Sequence, residues 1–184
     1  AGAFELEFFL LADERDAGGN VQPARAVLDG RASGKTEVYS VDHLHGMEPL
    51  FSDIYKAAEA QRIPAETVIS EYAPGQYELT LNYRKDILRA ADDLLMLKRL
   101  VRMQARRHGV TACFMAKPIE AYAGSGMHLH VSMQDGDGNN VFTEATDGEW
   151  NPLLLNSLGG LAETIAESML VFAPHANSWR RFVS

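Results

Sequence analysis

Residues 124–133 read GSGMHLHVSM. They place His128 and His130 two apart, directly after a glycine-bearing turn. On a strand, side chains at i and i+2 share a face, so the two imidazoles point the same way. Such a pair is a set of metal ligands, a polar reader of substrate, or solvated surface. What else in the chain reaches that face decides between them.

Upstream, AFELEFFLLA at 3–12 alternates partly and is rich in Phe and Leu, which predicts a buried strand with Glu5 and Glu7 on one face. Residues 13–37 carry four glycines and many charges and read as a surface excursion. Leu50, Ile54 and Ala58 recur at helical spacing over 47–61, with Pro49 suited to a first turn. AETVISEY and GQYELTLNY flank Ala73-Pro74-Gly75, the chemistry of a tight turn, and predict a β-hairpin. Over 85–108, Ile87, Ala90, Leu94, Leu97, Val101 and Ala105 form one stripe of a helix that Gly109 ends. Strands are expected at 111–117 and 126–133, with QDGDGNN turning the latter back into VFTE. Asn151-Pro152 begins a helix to Phe172 whose Leu154, Leu158, Leu161, Ile165 and Met169 line up. The pattern predicts an α+β fold, antiparallel strands with helices packed on one side.

With 184 residues, 46% of them hydrophobic, the chain has enough apolar content for one sizeable core or two small ones. A formal charge of −8 argues against nucleic acid or an anionic membrane as partner. No apolar run approaches the roughly 18 residues that span a bilayer, and no secretory leader is evident. Cys113 is the single cysteine, so the default setting is reducing and cytoplasmic. The chain begins inside a strand-like run and stops at NSWRRFVS, which suggests a piece of a longer protein.

Three pairs of polar residues fall on strands that otherwise look buried: Glu5 with Glu7, Glu71 with Glu78 across the hairpin turn, and His128 with His130. Carboxylates rarely sit in apolar strands unless paired or bound to metal. Alone, a Glu-x-Glu strand is ordinarily a solvated face, and His-x-His is weaker still. The triplet at His43–His45, placed before a helix, reads as solvated polar surface. Together, four glutamates and one or two imidazoles suit Mg²⁺ or Mn²⁺ at two neighbouring positions. Two cations beside a phosphoryl group neutralise the charge that develops in transfer.

Other motifs are weaker. Gly-Ser-Gly enters a strand rather than a helix, so it is no dinucleotide fingerprint, although its backbone can approach an anion closely. GRASGKT at 30–36 has one residue too few between its glycines for a phosphate-binding loop and reads as loop. Cys113 in TACFMAKP reads as inert core rather than nucleophile. Lys117 is either a surface lysine or a cation near phosphates.

Taken in order, ELEFFL, SEYAPGQYEL, FMAKP with GSGMHLHVS, and NSWRR resemble the metal-ligand strand, the E-x-A-P-G-Q-x-E hairpin, the most specific signature and the N-S-Y-K/R-R element of the glutamine synthetase catalytic domain. The resemblance covers most of the chain. It implies a curved antiparallel sheet, a partial barrel with helices on its outer face. It also implies ATP-dependent ligation: glutamate takes the γ-phosphate, and an amine displaces phosphate from γ-glutamyl phosphate. By position, Glu7, Glu71 and Glu78 would hold the cation nearer glutamate, and Glu5 and His128 the one bridging the nucleotide phosphates. His130 and Ser132 would contact the nucleotide, with Tyr83 near the adenine. Gly124 would offer backbone to glutamate, and Arg181 would pair with its carboxylate.

Two departures lie near where glutamate and the amine would sit. Ala123 stands where bacterial glutamine synthetases have Asn, and Trp179 where they have Tyr. They resemble the branch that ligates polyamines such as putrescine, with ammonia the other choice. The resemblance further implies that 1–184 is a single partial catalytic domain, with an N-terminal β-grasp domain before it and further catalytic-domain residues after it. Subunits would form stacked rings with sites at their interfaces, and the chain alone would bind metal weakly without turnover. Two rivals come from other classes. A guanidino-type phosphotransferase would want an arginine-lined site and a reactive cysteine, which the acidic pairs and the apolar setting of Cys113 disfavour. A non-enzymatic structural or regulatory relative would have lost ligand positions, yet all five metal positions here are Glu or His.

Overall fold

The computed structural model describes residues 1–32, 36–143 and 149–182. Its centre is β1 (Gly2–Ala12), whose alternation is resolved into two faces. Phe4, Leu6, Phe8 and Leu10 are buried together with Leu50, Phe51 and Ile54 of α2 (Glu48–Ala60) and Leu94, Leu97 and Val101 of α3 (Ile87–Arg107). Glu5, Glu7, Phe9 and Leu11 point the other way, as a two-residue period requires. Phe9 and Leu11 join Ala73 in a second apolar cluster, with Val21, Cys113, Ile119, Tyr122 and Ala123 against it. Burying each large side chain of the main cluster contributes about 1.5–3 kcal/mol.

Along one edge β1 pairs with β3 (Gln76–Leu81), which pairs in turn with β2 (Ala65–Ser70). Its other edge is divided: Gly2–Leu6 pair with β5 (Met127–Val131), and Phe9–Ala12 with β4 (Val110–Cys113). All pairings are antiparallel, giving an open five-stranded sheet. The β2–β3 turn is the expected one. Gly75 takes φ 76° after Pro74, and Gln76 N–H donates to Ala73 C=O at 3.0 Å. Only a residue without Cβ adopts that φ cheaply. Asp86 caps α3 by accepting from the backbone N–H of Leu88 and Arg89.

The structure corrects several boundaries. β4 and β5 are shorter than predicted: the chain leaves the sheet after Cys113 toward FMAKP, and after Val131 into the QDGDGNN turn. Asp135 accepts from the N–H groups of Asp137 and Asn139 and forms the QDGDGNN turn. The return is a single bridge, Gln134 to Asn140, rather than a strand, and Glu144 of VFTE lies outside the described residues. Residues 33–35 of GRASGKT also lie outside them. His43–His45 belong to a short helix, α1 (Val41–Gly46), instead of preceding one, and His43 is half-buried. Cys113 is half-buried and free rather than sealed in the core.

The largest difference concerns α4 (Pro152–Phe172), which forms as predicted but buries no residue. Leu158, Leu161 and Ile165 of its stripe are exposed, and Leu154 and Met169 are half-buried. Apolar periodicity specifies a face that seeks a partner and does not say where the partner lies.

Candidate metal and substrate site

The sheet face opposite α2 and α3 carries the acidic and imidazole residues, and strand register explains their meeting. Glu7 stands directly across from Glu78, and Glu5 directly across from His128. Residues opposite each other in antiparallel strands have Cβ atoms about 4.5–5.5 Å apart, and like charges there are destabilising. His128 Nδ1 lies 2.8 Å from Glu5 Oε2 and 4.0 Å from Glu78 Oε2. His130 Nε2 lies 2.8 Å from Glu5 Oε1, so the nucleotide-side histidine of the sequence reading shares the same carboxylate. One ligand atom each from Glu5, Glu78 and His128 falls within 4.8 Å of the others. That is the spacing of groups that could hold one cation.

Electrostatics separate the carboxylates. Burial, then the charges of Glu5, Glu71 and Glu7, push the Glu78 carboxyl up from 4.5 to about 7. Glu71, half-buried just beyond β2, is raised by burial and by Glu7. At Glu5 burial acts upward too, but hydrogen bonding and charge from His128 and His130 outweigh it and hold the group low. At Glu71 and Glu78 burial and carboxylate repulsion outweigh the pull of His128, and oxygens with an imidazole suit a hard or borderline divalent ion. The donor set therefore fits Mg²⁺ or Mn²⁺.

The Gly-Ser-Gly turn packs against Glu7. Gly126 N–H donates to Glu7 Oε2 at 2.9 Å, and Glu7 N–H donates back to Gly126 C=O at 3.2 Å. The anion this turn approaches is thus one of the chain's own carboxylates. A Cβ on Gly126 would lie 3.3 Å from both Glu7 Oε1 and Arg181 Nη1, and 3.5 Å from His128 Nε2. At Gly124 it would lie 2.6 Å from Ala116 O and 2.8 Å from Arg181 Cγ. Arg181 accordingly lies over the turn, beside Glu7.

Asn177 accounts for that placement. Its side chain accepts from Lys117 N–H and donates to Lys117 C=O, both at 2.8 Å, which ties α5 (Ala176–Trp179) to the FMAKP segment. Lys117 Nζ itself donates to Tyr122 C=O, inside the loop, so its side chain is half-buried rather than free at the surface. Ser132 N–H pairs with Ala1 C=O, while Arg84 bridges Gly2. His130, Ser132 and the exposed Tyr83 therefore gather at the start of β1, and Glu7, Gly124 and Arg181 lie further along it.

Sequence reasoning missed Gln76, Ser125 and Asn177. Gln76 stands two residues before Glu78 and therefore on its face, a signal that alternation alone carries. Ser125 and Asn177 become visible only through contacts between distant segments. An apolar groove of ≈ 810 Å³ lined by Leu44, Phe51, Tyr55, Ile63 and Val68 lies between α1, α2 and β2 and includes none of the acidic cluster. No helix among the described residues is long and apolar enough to cross a membrane.

An open antiparallel sheet with four glutamates and two histidines converging on one face, and a Gly-Ser-Gly turn under an arginine, defines a known class. The chain belongs to the glutamine synthetase family, whose catalytic domain matches residues 1–184. It is 46% identical over 180 residues to gamma-glutamylputrescine synthetase PuuA of Escherichia coli (strain K12), covering 98% of this chain and 38% of that protein. It is 33% identical over 180 residues to glutamate–isopropylamine ligase of a Pseudomonas species, covering 97% of the chain and 38% of that protein. A solved GmaS/ADP complex superposes with TM-score 0.81 at 26% identity, over 100% of this chain and 40% of that one. The chain thus spans less than half the length of these relatives.

Proposed function

We propose that this chain is the metal- and glutamate-binding portion of an ATP-dependent glutamate–amine ligase, with a polyamine such as putrescine as the amine. The observation that carries the reading is the convergence of Glu5, Glu78 and His128 within 4.8 Å, with Glu7, Gly124 and Arg181 alongside. Similarity to a gamma-glutamylputrescine synthetase supports the polyamine over ammonia, and Ala123 and Trp179 agree with it. A relative solved with ADP supports nucleotide use.

Glu5 and His128 would hold a cation on the nucleotide side, while Glu7 and Glu71 would face the glutamate side. Glu78 stands between, close to the first pair and electrostatically coupled to the second. Bound Mg²⁺ or Mn²⁺ supplies positive charge to oxygens that become more negative during phosphoryl transfer. Arg181 offers a planar guanidinium to the glutamate carboxylate, offsetting charge that would otherwise repel the nucleophile from ATP. Gly124 would offer its backbone to glutamate, and its missing Cβ lets Arg181 and the Ala116 carbonyl pack against it. His130, Ser132 and Tyr83, at the start of β1, would meet the nucleotide. The γ-carboxylate attacks the γ-phosphorus and ADP leaves. The amine then attacks the acyl carbon, phosphate leaves, and the amine's proton passes to a base.

The complete enzyme is expected to be a cytoplasmic homo-oligomer in which residues outside this chain finish the site. The experiment is a product screen on the full-length protein with ATP, Mg²⁺, glutamate and either putrescine, spermidine, ethanolamine or ammonia. Gamma-glutamylputrescine with stoichiometric phosphate, abolished by Glu7→Ala, supports the reading. Glutamine as the preferred product would replace the amine, and no phosphate release with any amine would overturn the ligase.

A further inference from the structure

Gln76 is the side chain on which three parts of the site meet. It is 2% exposed and sits at the first position of β3. Its Oε1 accepts from Ala73 N–H at 3.2 Å, inside the Pro-Gly turn. That bond fixes which end of the amide faces the site. Nε2 then donates to Glu7 Oε2 and to Gly124 C=O, each at 3.1 Å, with Ser125 Oγ at 3.4 Å. A primary amide has two N–H groups, so Glu7 and Gly124 use its whole donating capacity.

Glu7 Oε2 consequently receives two hydrogen bonds, from Gln76 and from Gly126 N–H. Among the described residues no hydrogen bond reaches its other oxygen, Oε1, which lies on the Gly126 side of the site, as Arg181 Nη1 does. A carboxylate held by one oxygen presents the other in a fixed direction. Without Gln76, Glu7 would rotate about its last torsion, a broad and soft one, and Gly124 C=O would lose its partner.

We infer that Gln76 is a positioning residue that aims Glu7 Oε1 at the glutamate-side cation and locks Gly124 in register with it. The inference rests on the reading of this face as a divalent-metal and glutamate site. Hydrogen-bond partners one step behind metal ligands commonly change affinity by about 10–100-fold when removed. Both amide N–H groups of Gln76 are taken up by protein acceptors, so it would act through Glu7 and Gly124.

The test uses the full-length enzyme, titrated with Mn²⁺ and followed by the electron paramagnetic resonance signal of the free ion, beside thermal melts and steady-state kinetics. Two variants are informative. Gln76→Met keeps length and removes both donors. Gln76→Glu keeps the oxygen facing Ala73 and turns an acceptor toward Glu7 and Gly124, so it reports even if the first variant folds poorly. Expected is about a tenfold or greater loss at one class of Mn²⁺ site with the other within about twofold. The KM for glutamate should rise while the KM for ATP holds. Equal weakening of all sites with both KM values rising together, in step with a fallen Tm, would make Gln76 merely structural and overturn the inference. Unchanged Mn²⁺ binding and glutamate KM in both variants would overturn it alone. A wild-type enzyme that binds no Mn²⁺ would overturn the metal reading beneath it.

Discussion

Glu7 of β1 and Glu78 of β3 face each other directly across the antiparallel register, Glu7 half-buried and Glu78 buried, and among the described residues neither has a cationic partner on β1 or β3. Such an arrangement costs folding free energy, up to about 1 kcal/mol for one like-charged cross-strand pair. Near neutral pH without metal, Glu78→Gln should therefore raise the melting temperature while weakening Mg²⁺ or Mn²⁺ binding. Thermal melts with and without Mn²⁺ check both halves. A variant that is both less stable and equally metal-competent would contradict the assignment.

The raised Glu78 carboxyl gives a pH dependence whose sign is fixed. Between about pH 4.5 and 7 the folded chain keeps a proton that the unfolded chain has released. Metal-free stability from this group therefore falls as pH rises through that window, and Glu71 acts the same way. Glu5 opposes them: its lowered group contributes stability above its ordinary value and loses it on acidification. Metal must displace the Glu78 proton, so affinity should fall about tenfold from pH 8 to pH 6, as proton competition at one such group dictates. Calorimetric Mn²⁺ titration at the two pH values, in buffers of differing ionisation enthalpy, measures the fall and the proton released.

Gly124 is constrained by its surroundings rather than its dihedrals. The nearest obstacle to a Cβ is the carbonyl of Ala116, which is itself held by Ser125 N–H at 2.8 Å. Gly124→Ala must shift that backbone or displace Arg181, at a cost of about 1–3 kcal/mol. Glutamate KM should rise, and the melt should fall modestly.

Asn177→Ala removes both bonds to the Lys117 backbone and leaves two peptide groups without partners. A loss of about 1–3 kcal/mol for each unsatisfied buried group is the upper expectation, less wherever water replaces the amide. Because Arg181 follows on the same short segment, glutamate KM should rise more than ATP KM. Asn177→Asp keeps the acceptor and loses the donor, so it should fall between the two.

Much of the framework was legible because it is local. Alternation in AFELEFFLLA assigned both faces of β1, Pro-Gly announced the β2–β3 turn, and the α3 stripe placed Leu94, Leu97 and Val101 in the core. The i, i+2 pairs were legible for the same reason, and the register converted them into one cluster. Lengths and partners were less so. β4 stops at Cys113, and the stripe of α4 lies exposed, because strand ends and helix faces depend on what packs against them. Gln76 was placed on the right face by alternation, but its bond to Glu7, like that of Asn177 to Lys117, joins residues 69 and 60 positions apart and is not written in local pattern. Arg181 was reached only through the family resemblance; its place above Gly124 is a matter of three-dimensional contact.

Anomalous diffraction at the manganese edge, from crystals of the full-length protein grown with Mn²⁺, probes the hollow most directly. The account predicts a peak within about 2.0–2.5 Å of a carboxylate oxygen of Glu5 and of Glu78 and a ring nitrogen of His128, with a second peak beside Glu7 and Glu71. Peaks held by other residues, or none on this face of the sheet, would contradict it.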